Sequence, residues 1–256
     1  MDAELKIVVR DCVSLDDFQQ CVSLQQTVWG FSDRDLIPLR FFVVAHKIEG
    51  QVIGAFEPDG RLAGFCLAVP ALRGTSIQSG VYLHSHMLAV LPEWRRRGLG
   101  RMLKLEQRRQ ALARGIKLVE WTFDPLELQN AYFNLERLGA IARRYVPNQY
   151  GISSSPLHRG LPTDRLVAEW WLESPRVEAL ARGEAPLRSV VTGRIEVPVG
   201  VAERSEQEPA SAVALQRDLR SKFQEAFAEG LAALGFEWSS RTGDYLLSAD
   251  YADGAD

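Results

Sequence analysis

Leu88-Ala89-Val90-Leu91-Pro92-Glu93-Trp94-Arg95-Arg96-Arg97-Gly98-Leu99-Gly100-Arg101-Met102-Leu103 reads as an apolar strand that runs into a short turn, three arginines, a Gly-x-Gly pair and the start of a helix. A glycine costs about 1 kcal/mol against alanine inside a helix, so two in a first turn need a cause. The arginines sharpen the problem, because positive charge beside a helix N-terminus opposes the macrodipole. An anion at this point removes both difficulties. Glycine lets backbone N–H groups approach closely, and arginine neutralises phosphate. The junction therefore reads as a pyrophosphate cradle.

Other phosphate motifs do not fit it. No Gly-x-x-x-x-Gly-Lys-Ser/Thr is present here, which excludes a Walker P-loop, and Leu103 stands where a dinucleotide fingerprint needs its third glycine. The 256 residues suffice for one large domain or a domain with an extension. A net charge of -3 means that the basic cluster is local, which argues against a general nucleic-acid binder. No apolar run reaches the roughly 18–20 residues of a membrane span, and Met1-Asp2-Ala3-Glu4 is too acidic for a signal peptide. Cys12, Cys21 and Cys66 lack any Cys-x-x-Cys spacing and read as reduced thiols, giving a cytoplasmic expectation and no disulfide or zinc framework.

Around the cradle the pattern alternates between strand and helix. Leu5 to Arg10 reads as a strand, and Ser14 caps a helix through about Val28. A polar loop at Ser32–Asp35 leads to a helical stretch from Pro38. Strands Val52–Phe56 and Leu62–Val69 flank the turn signal Pro58-Asp59-Gly60, and Tyr82–Val90 feeds the cradle. Leu99, Met102 and Leu103 supply the apolar face of the next helix, which Gly115 ends. Leu118–Phe123 is a further strand, and Asp124-Pro125 opens a helix that stops at Gly139. Beyond Tyr150, Leu166–Leu172 is an apolar strand, Ser174-Pro175 starts a helix and Gly183–Arg188 is a linker. From Pro209 a long helix carries Leu215, Leu219, Phe223, Phe227 and Leu231 at four-residue steps, with Gly235 as its terminator. Trp238 and Tyr245–Leu247 form a closing hairpin, and Asp250–Asp256 is a frayed tail.

Arg95-x-x-Gly98-x-Gly100, entered from Leu-Ala-Val-x-Pro and followed by an amphipathic helix, resembles the acyl-CoA signature of the GNAT N-acetyltransferase superfamily. The resemblance runs from about Leu5 to Tyr145. Leu83-His84-Ser85-His86-Met87-Leu88, Trp121-Thr122-Phe123-Asp124-Pro125 and Asn130-Ala131-Tyr132-Phe133-Asn134-Leu135 are similar to a bacterial subgroup with a C-terminal extension. It implies an α/β (α+β) fold, a mixed and mostly antiparallel sheet splayed around acyl-CoA and flanked by helices. Residues 1–150 would be the catalytic core and residues 151–256 an α/β extension packed on it. It further implies that Arg95, Arg96, Arg97, Gly98, Leu99, Gly100 and Arg101 hold the pyrophosphate of coenzyme A. Leu88, Ala89 and Val90 would pair with the pantetheine arm, and Asn130 would reach that arm or the phosphates.

The family's closing pattern carries a tyrosine, four residues before the final glycine, that protonates the departing thiolate. Counting back from Gly139 gives Leu135, so Tyr132 is the nearest substitute. An amine acceptor arrives protonated at neutral pH, and a base must remove that proton. Where the family usually has a carboxylate, the strand before the cradle carries His84 and His86, two residues apart and so on one face. They are the candidate bases; no carboxylate or cysteine nearby completes a metal site, and none is expected. Acceptor contacts fall on Trp29–Leu39, where Asp33 and Asp35 suit an ammonium and Arg34 or Arg40 a carboxylate, and on Tyr145 and Tyr150.

The expectation is transfer of an acetyl or other short acyl group from acetyl-CoA to a primary amine of a small molecule, in a ternary complex. Succinyl-CoA is an alternative donor, with Arg40 or Arg73 near the acyl pocket. A catalytically silent acyl-CoA sensor or protein-interaction module is the reading that Leu135 encourages. Neither nucleic acid nor membrane is an expected partner, and a homodimer is left open.

Overall fold

The computed structural model describes residues 7–32, 35–75, 80–151, 161–185, 189–201 and 209–251. They fall into two compact units divided between Val119 and Glu120.

The first unit contains β1 (Val8–Asp11), α1 (Leu15–Trp29), α2 (Leu39–Lys47), β2 (Gln51–Phe56), β3 (Leu62–Leu72), β4 (Val81–Val90) and α3 (Leu99–Ala113). The four strands lie in chain order, each antiparallel to the next. Local chemistry sets the ends. Ser14 accepts from the Asp17 amide at 3.0 Å while the Asp17 carboxylate accepts from the Ser14 amide at 3.2 Å, the reciprocal cap expected at this position. Arg10 grips that carboxylate through both oxygens and holds it well below the usual carboxylate range. The β2–β3 turn closes through the Gly60 amide on the Glu57 carbonyl at 2.9 Å, as Pro58-Asp59-Gly60 predicts. One face of the sheet packs Phe56, Phe65, Leu67, Met87 and Ala89 against Phe18, Cys21, Leu24 and Phe42 of α1 and α2. The other packs Ile53, Ala63 and Cys66 against Trp94 and against Leu99 and Leu103 of α3. Met102 is exposed, so the α3 face does not follow the expected Leu99–Met102–Leu103 set; Lys104, Gln107, Gln110 and Ala111 continue it instead. Cys12, Cys21 and Cys66 are buried free thiols.

The second unit has a sheet of order β5-β7-β6-β9-β10-β8, from β5 (Leu118–Phe123, which begins at the division), β6 (Ile141–Val146), β7 (Arg165–Trp171), β8 (Gly193–Pro198), β9 (Ala232–Trp238) and β10 (Thr242–Ser248). β6 is antiparallel to both β7 and β9. Chain before and after Tyr150 thus interleaves in one sheet. Ser174 caps α5 (Pro175–Ala181), accepting from the Val177 amide at 3.3 Å. Next comes α6 (Pro209–Ala228). It ends before Gly230, whose φ is 81°, and not at Gly235, which lies inside β9 facing Leu246 and Glu136. Its buried side is Ala212, Gln216, Leu219, Phe223 and Ala226, while Leu215, Phe227 and Leu231 are only half-buried. Steps of four drift off the seam of a helix with 3.6 residues per turn, and alternate steps of four and three stay on it. Phe223 and Phe236 meet Tyr245 edge-on, with centroids 5.0 and 5.2 Å apart.

The expected helix from Asp124 to Gly139 divides. Asp124 Oδ1 accepts from the Leu126 amide at 2.9 Å in a turn, α4 spans Leu128–Tyr132, and a π-helical turn covers Phe133–Arg137. Tertiary contacts fix this wide turn. Arg176 donates to the Leu135 carbonyl at 2.9 Å, Trp170 Nε1 to the Leu138 carbonyl at 2.8 Å, and the Phe236 amide to Glu136 Oε1 at 2.8 Å.

Candidate active site

In the first unit, the cradle hangs between two anchors. Its entry is a 3-10 turn, Pro92–Trp94, whose Trp94 ring is buried and donates Nε1 to Glu57 Oε1 at 3.2 Å. Arg61 ties that turn to the hairpin, pairing with Glu57 and Glu93, each at 2.8 Å. Its exit is α3, held down by Leu99 and Leu103. Between the anchors, Arg96 has φ 61° and Gly98 has φ 83°. Left-handed residues in such a turn swing successive amides to one side, the geometry of an anion nest. Gly98 is the N-cap of α3, which has no side-chain cap and no acidic residue in its first turn. Arg95, Arg96 and Arg97 are exposed, with Arg95 Nε donating to the Val90 carbonyl at 3.3 Å and Arg97 lying 5.4 Å over the Trp94 ring. A Cβ on Gly98 would meet nothing within 4 Å. The space beside Gly98 is open, and an uncapped helix start with three arginines suits the phosphates of coenzyme A.

Upstream, β4 carries one residue too many. Leu67 pairs with Met87 and Ala68 with Ser85, so His86 is the extra residue of a β-bulge. His84 pairs with Val69, which packs on the α1–α2 side, and the His84 and His86 rings lie 6.0 Å apart. The pair expected on one face is therefore together, though through a bulge and not by plain alternation. Burial lowers both imidazole pKa values, and repulsion from His86 lowers His84 further. His86 keeps part of its surface in solvent.

On the other face, the sequence reading missed Lys104. It is 2% exposed, and Nζ donates to Ser85 Oγ at 3.2 Å and Gln107 Oε1 at 2.6 Å. Burial brings its amine down to about 7. Lys104, Gln107 and Ala111 share α3's inward side at helical spacing, a signal that apolar periodicity alone passes over. Among the described residues no three His, Cys, Asp or Glu side chains gather as a metal site.

Two groups expected near the reaction belong to the second unit. Asn130 is exposed on α4, Tyr132 is half-buried at its end, and Leu135 is fully buried in the π turn. A count of four back from Gly139 assumes α spacing. The π turn lies within that count, and Asn134 in it accepts at Oδ1 from Trp121 Nε1 at 3.2 Å. Neither Leu135 nor Asn134 is an acid. Tyr145 donates to Asp164 at 2.7 Å, a carboxylate that Arg220 also holds, so its hydroxyl is engaged in packing α6. Tyr150 is exposed and its hydroxyl meets Thr122 Oγ1 at 2.9 Å. Asp33 and Arg34 lie outside the described residues, while Arg40 is exposed and Asp35 and Arg73 half-buried.

Residues 18–139 match the acetyltransferase (GNAT) family. No curated protein matches the sequence. Among solved structures, Arabidopsis thaliana NAA60 in complex with acetyl-CoA is similar at a TM-score of 0.53 and 16% identity, over 65% of this chain and 99% of its own. An N-acetyltransferase from Staphylococcus aureus Mu50 gives 0.52 at 12% identity, over 66% and 99%. The ribosomal-protein-S18-alanine N-acetyltransferase from Escherichia coli gives 0.50 at 13%, over 64% and 92%. At such identities the likeness is one of fold, spread over about two thirds of this chain.

Proposed function

We propose, from the premise that residues 18–139 are an acetyltransferase domain of the GNAT family, that this chain transfers an acetyl group from acetyl-CoA to a primary amine of a small molecule. The observation that carries the reading is the uncapped α3 N-terminus beside two left-handed residues and three exposed arginines, at the end of the strand that bears two imidazoles. The amides from Arg96 to Arg101 and the guanidinium groups would hold the pyrophosphate. The main chain of Leu88, Ala89 and Val90 would line the pantetheine arm. From His86 to Val90 the strand spans about 13 Å at roughly 3.3 Å per residue, so base and cradle are separated as an extended arm requires.

The reaction needs an unprotonated amine. A lowered pKa keeps His84 or His86 neutral at pH 7, ready to take the ammonium proton before the nitrogen attacks the thioester carbonyl. The C–N bond forms, the nitrogen sheds its second proton to solvent, the C–S bond breaks, and the thiolate leaves. Tyr132 is the proposed donor of its proton, with Asn130 on the cofactor arm. A thiolate is a good enough leaving group that a weak acid suffices. The absence of an acid at Leu135 favours a second reading, an acyl-CoA sensor without turnover. One experiment separates them: calorimetry for coenzyme A, followed by thiol release from acetyl-CoA over a panel of small primary amines. Binding with amine-dependent thiol release supports the enzyme, and binding without release supports the sensor. No binding overturns both.

A further inference from the structure

We propose that Lys104 is a positioning residue for the histidine-bearing segment of β4: by holding Ser85 from the α3 side, it fixes where the bulge falls and so how His84 and His86 present their rings. Ser85 is the last residue before the extra one, pairing with Ala68 while Met87 pairs with Leu67. A one-residue slip in a strand exchanges its two faces, so the bulge has to be pinned to a particular residue. Lys104 Nζ does this at 3.2 Å from Ser85 Oγ.

The pin is itself held. Gln107 Oε1 accepts from the same Nζ at 2.6 Å, and Gln107 Nε2 points to Cys66 Sγ on β3 at 3.9 Å. The Gln107 carbonyl accepts from Gln51 Nε2 on β2 at 3.1 Å. The amine is thereby referenced to two neighbouring strands as well as to its own helix. Packing alone does not call for it, because an apolar chain of similar length would fill the site without the cost of burying an amine. Burial brings that amine down to about 7. Lys104 also lies one turn after Gly100 on the cradle helix, so a single side chain ties the cradle to the candidate base.

The kinetic consequence rests on the acetyl-transfer reading, whereas the geometric one does not, and the test keeps them apart. The full chain, labelled with ¹⁵N, is compared as wild type, S85A and K104M by imidazole ¹H–¹⁵N correlation. His84 and His86 resonances are expected to move in both variants while His46, on α2, stays in place. With a responsive amine, kcat is expected to fall about tenfold with KM for acetyl-CoA kept within about twofold, and the double variant to be no worse than the poorer single one. Since K104M deprives buried Gln107 Oε1 of this donor, S85A decides the matter if K104M does not fold. Unmoved His84 and His86 resonances in S85A, an unchanged kcat, or additive effects in the double variant overturn the proposal. If the wild type releases no thiol, the acetyl-transfer reading fails and the resonances alone decide the role of Lys104.

Discussion

Gly98 combines a φ of 83° with open space above its Cα. Alanine there is expected to cost about 1–2 kcal/mol in denaturant melts, all of it from the left-handed backbone. Aspartate adds a negative charge where phosphate would lie, and calorimetry should find coenzyme A binding lost in folded Gly98→Asp. At the histidines the direction of the pKa shift sets the pH profile. Both imidazoles titrate below 6.5, so the ascending limb of kcat/KM should have its midpoint below that value. Alanine at whichever one is the base should cost about 10²–10⁴-fold. Lys104 makes a separate prediction about stability. The unfolded chain keeps this proton to about 10.5 and the folded chain only to about 7. Between those values the unfolded state binds more protons, so stability rises with pH by up to about 1.4 kcal/mol per unit, and below them the burial penalty is complete. Denaturant titrations at several pH values should show that rise in the wild type and its loss in Lys104→Met.

Among the elements, α4 bears most directly on mechanism, because it ends in Tyr132, the proposed acid. Tyr132→Phe is expected to slow turnover more than about threefold with coenzyme A affinity kept, and a smaller effect would assign the ring to packing. Elements with local signals were legible in the sequence: the Ser14 and Ser174 caps, the turn around Gly60, and the hairpin after Trp238 each depend on a few adjacent residues. The bulge at His86 was not, since it exists only relative to the register of β3. The π turn depends on Arg176, Trp170 and Phe236, far away in the chain. Gly235 misled because a strand glycine facing Leu246 looks, in sequence, like a helix terminator. Lys104 stayed hidden for a related reason: a charged residue on the inner side of a helix contradicts the pattern used to find that side. The glycine–arginine cradle was the easiest part to read, because its cause is local backbone chemistry.

For the whole molecule, the interleaving of β7 between β5 and β6, with β9 on the other side of β6, governs what can be removed. Truncation after Tyr150 takes away both neighbours of β6, together with α6 and the Phe223 and Tyr245 rings. The 1–150 fragment is expected to be insoluble or molten, and limited proteolysis of the full chain should yield no stable piece of that size. A soluble fragment of 1–150 with a sharp thermal transition that binds coenzyme A would make the remainder a separable module. The same interleaving has a consequence in time. As the chain leaves the ribosome, β1 to β4 can zip in order, each strand meeting one already made. β6 cannot: β7 follows it soon, but β9 ends at Trp238, and at 5–20 residues per second that lag lasts roughly 5–20 s. Through that interval one edge of β6 stands open to any other nascent strand, so pairing with a neighbouring chain on a polysome is a hazard that ends once β9 is in place.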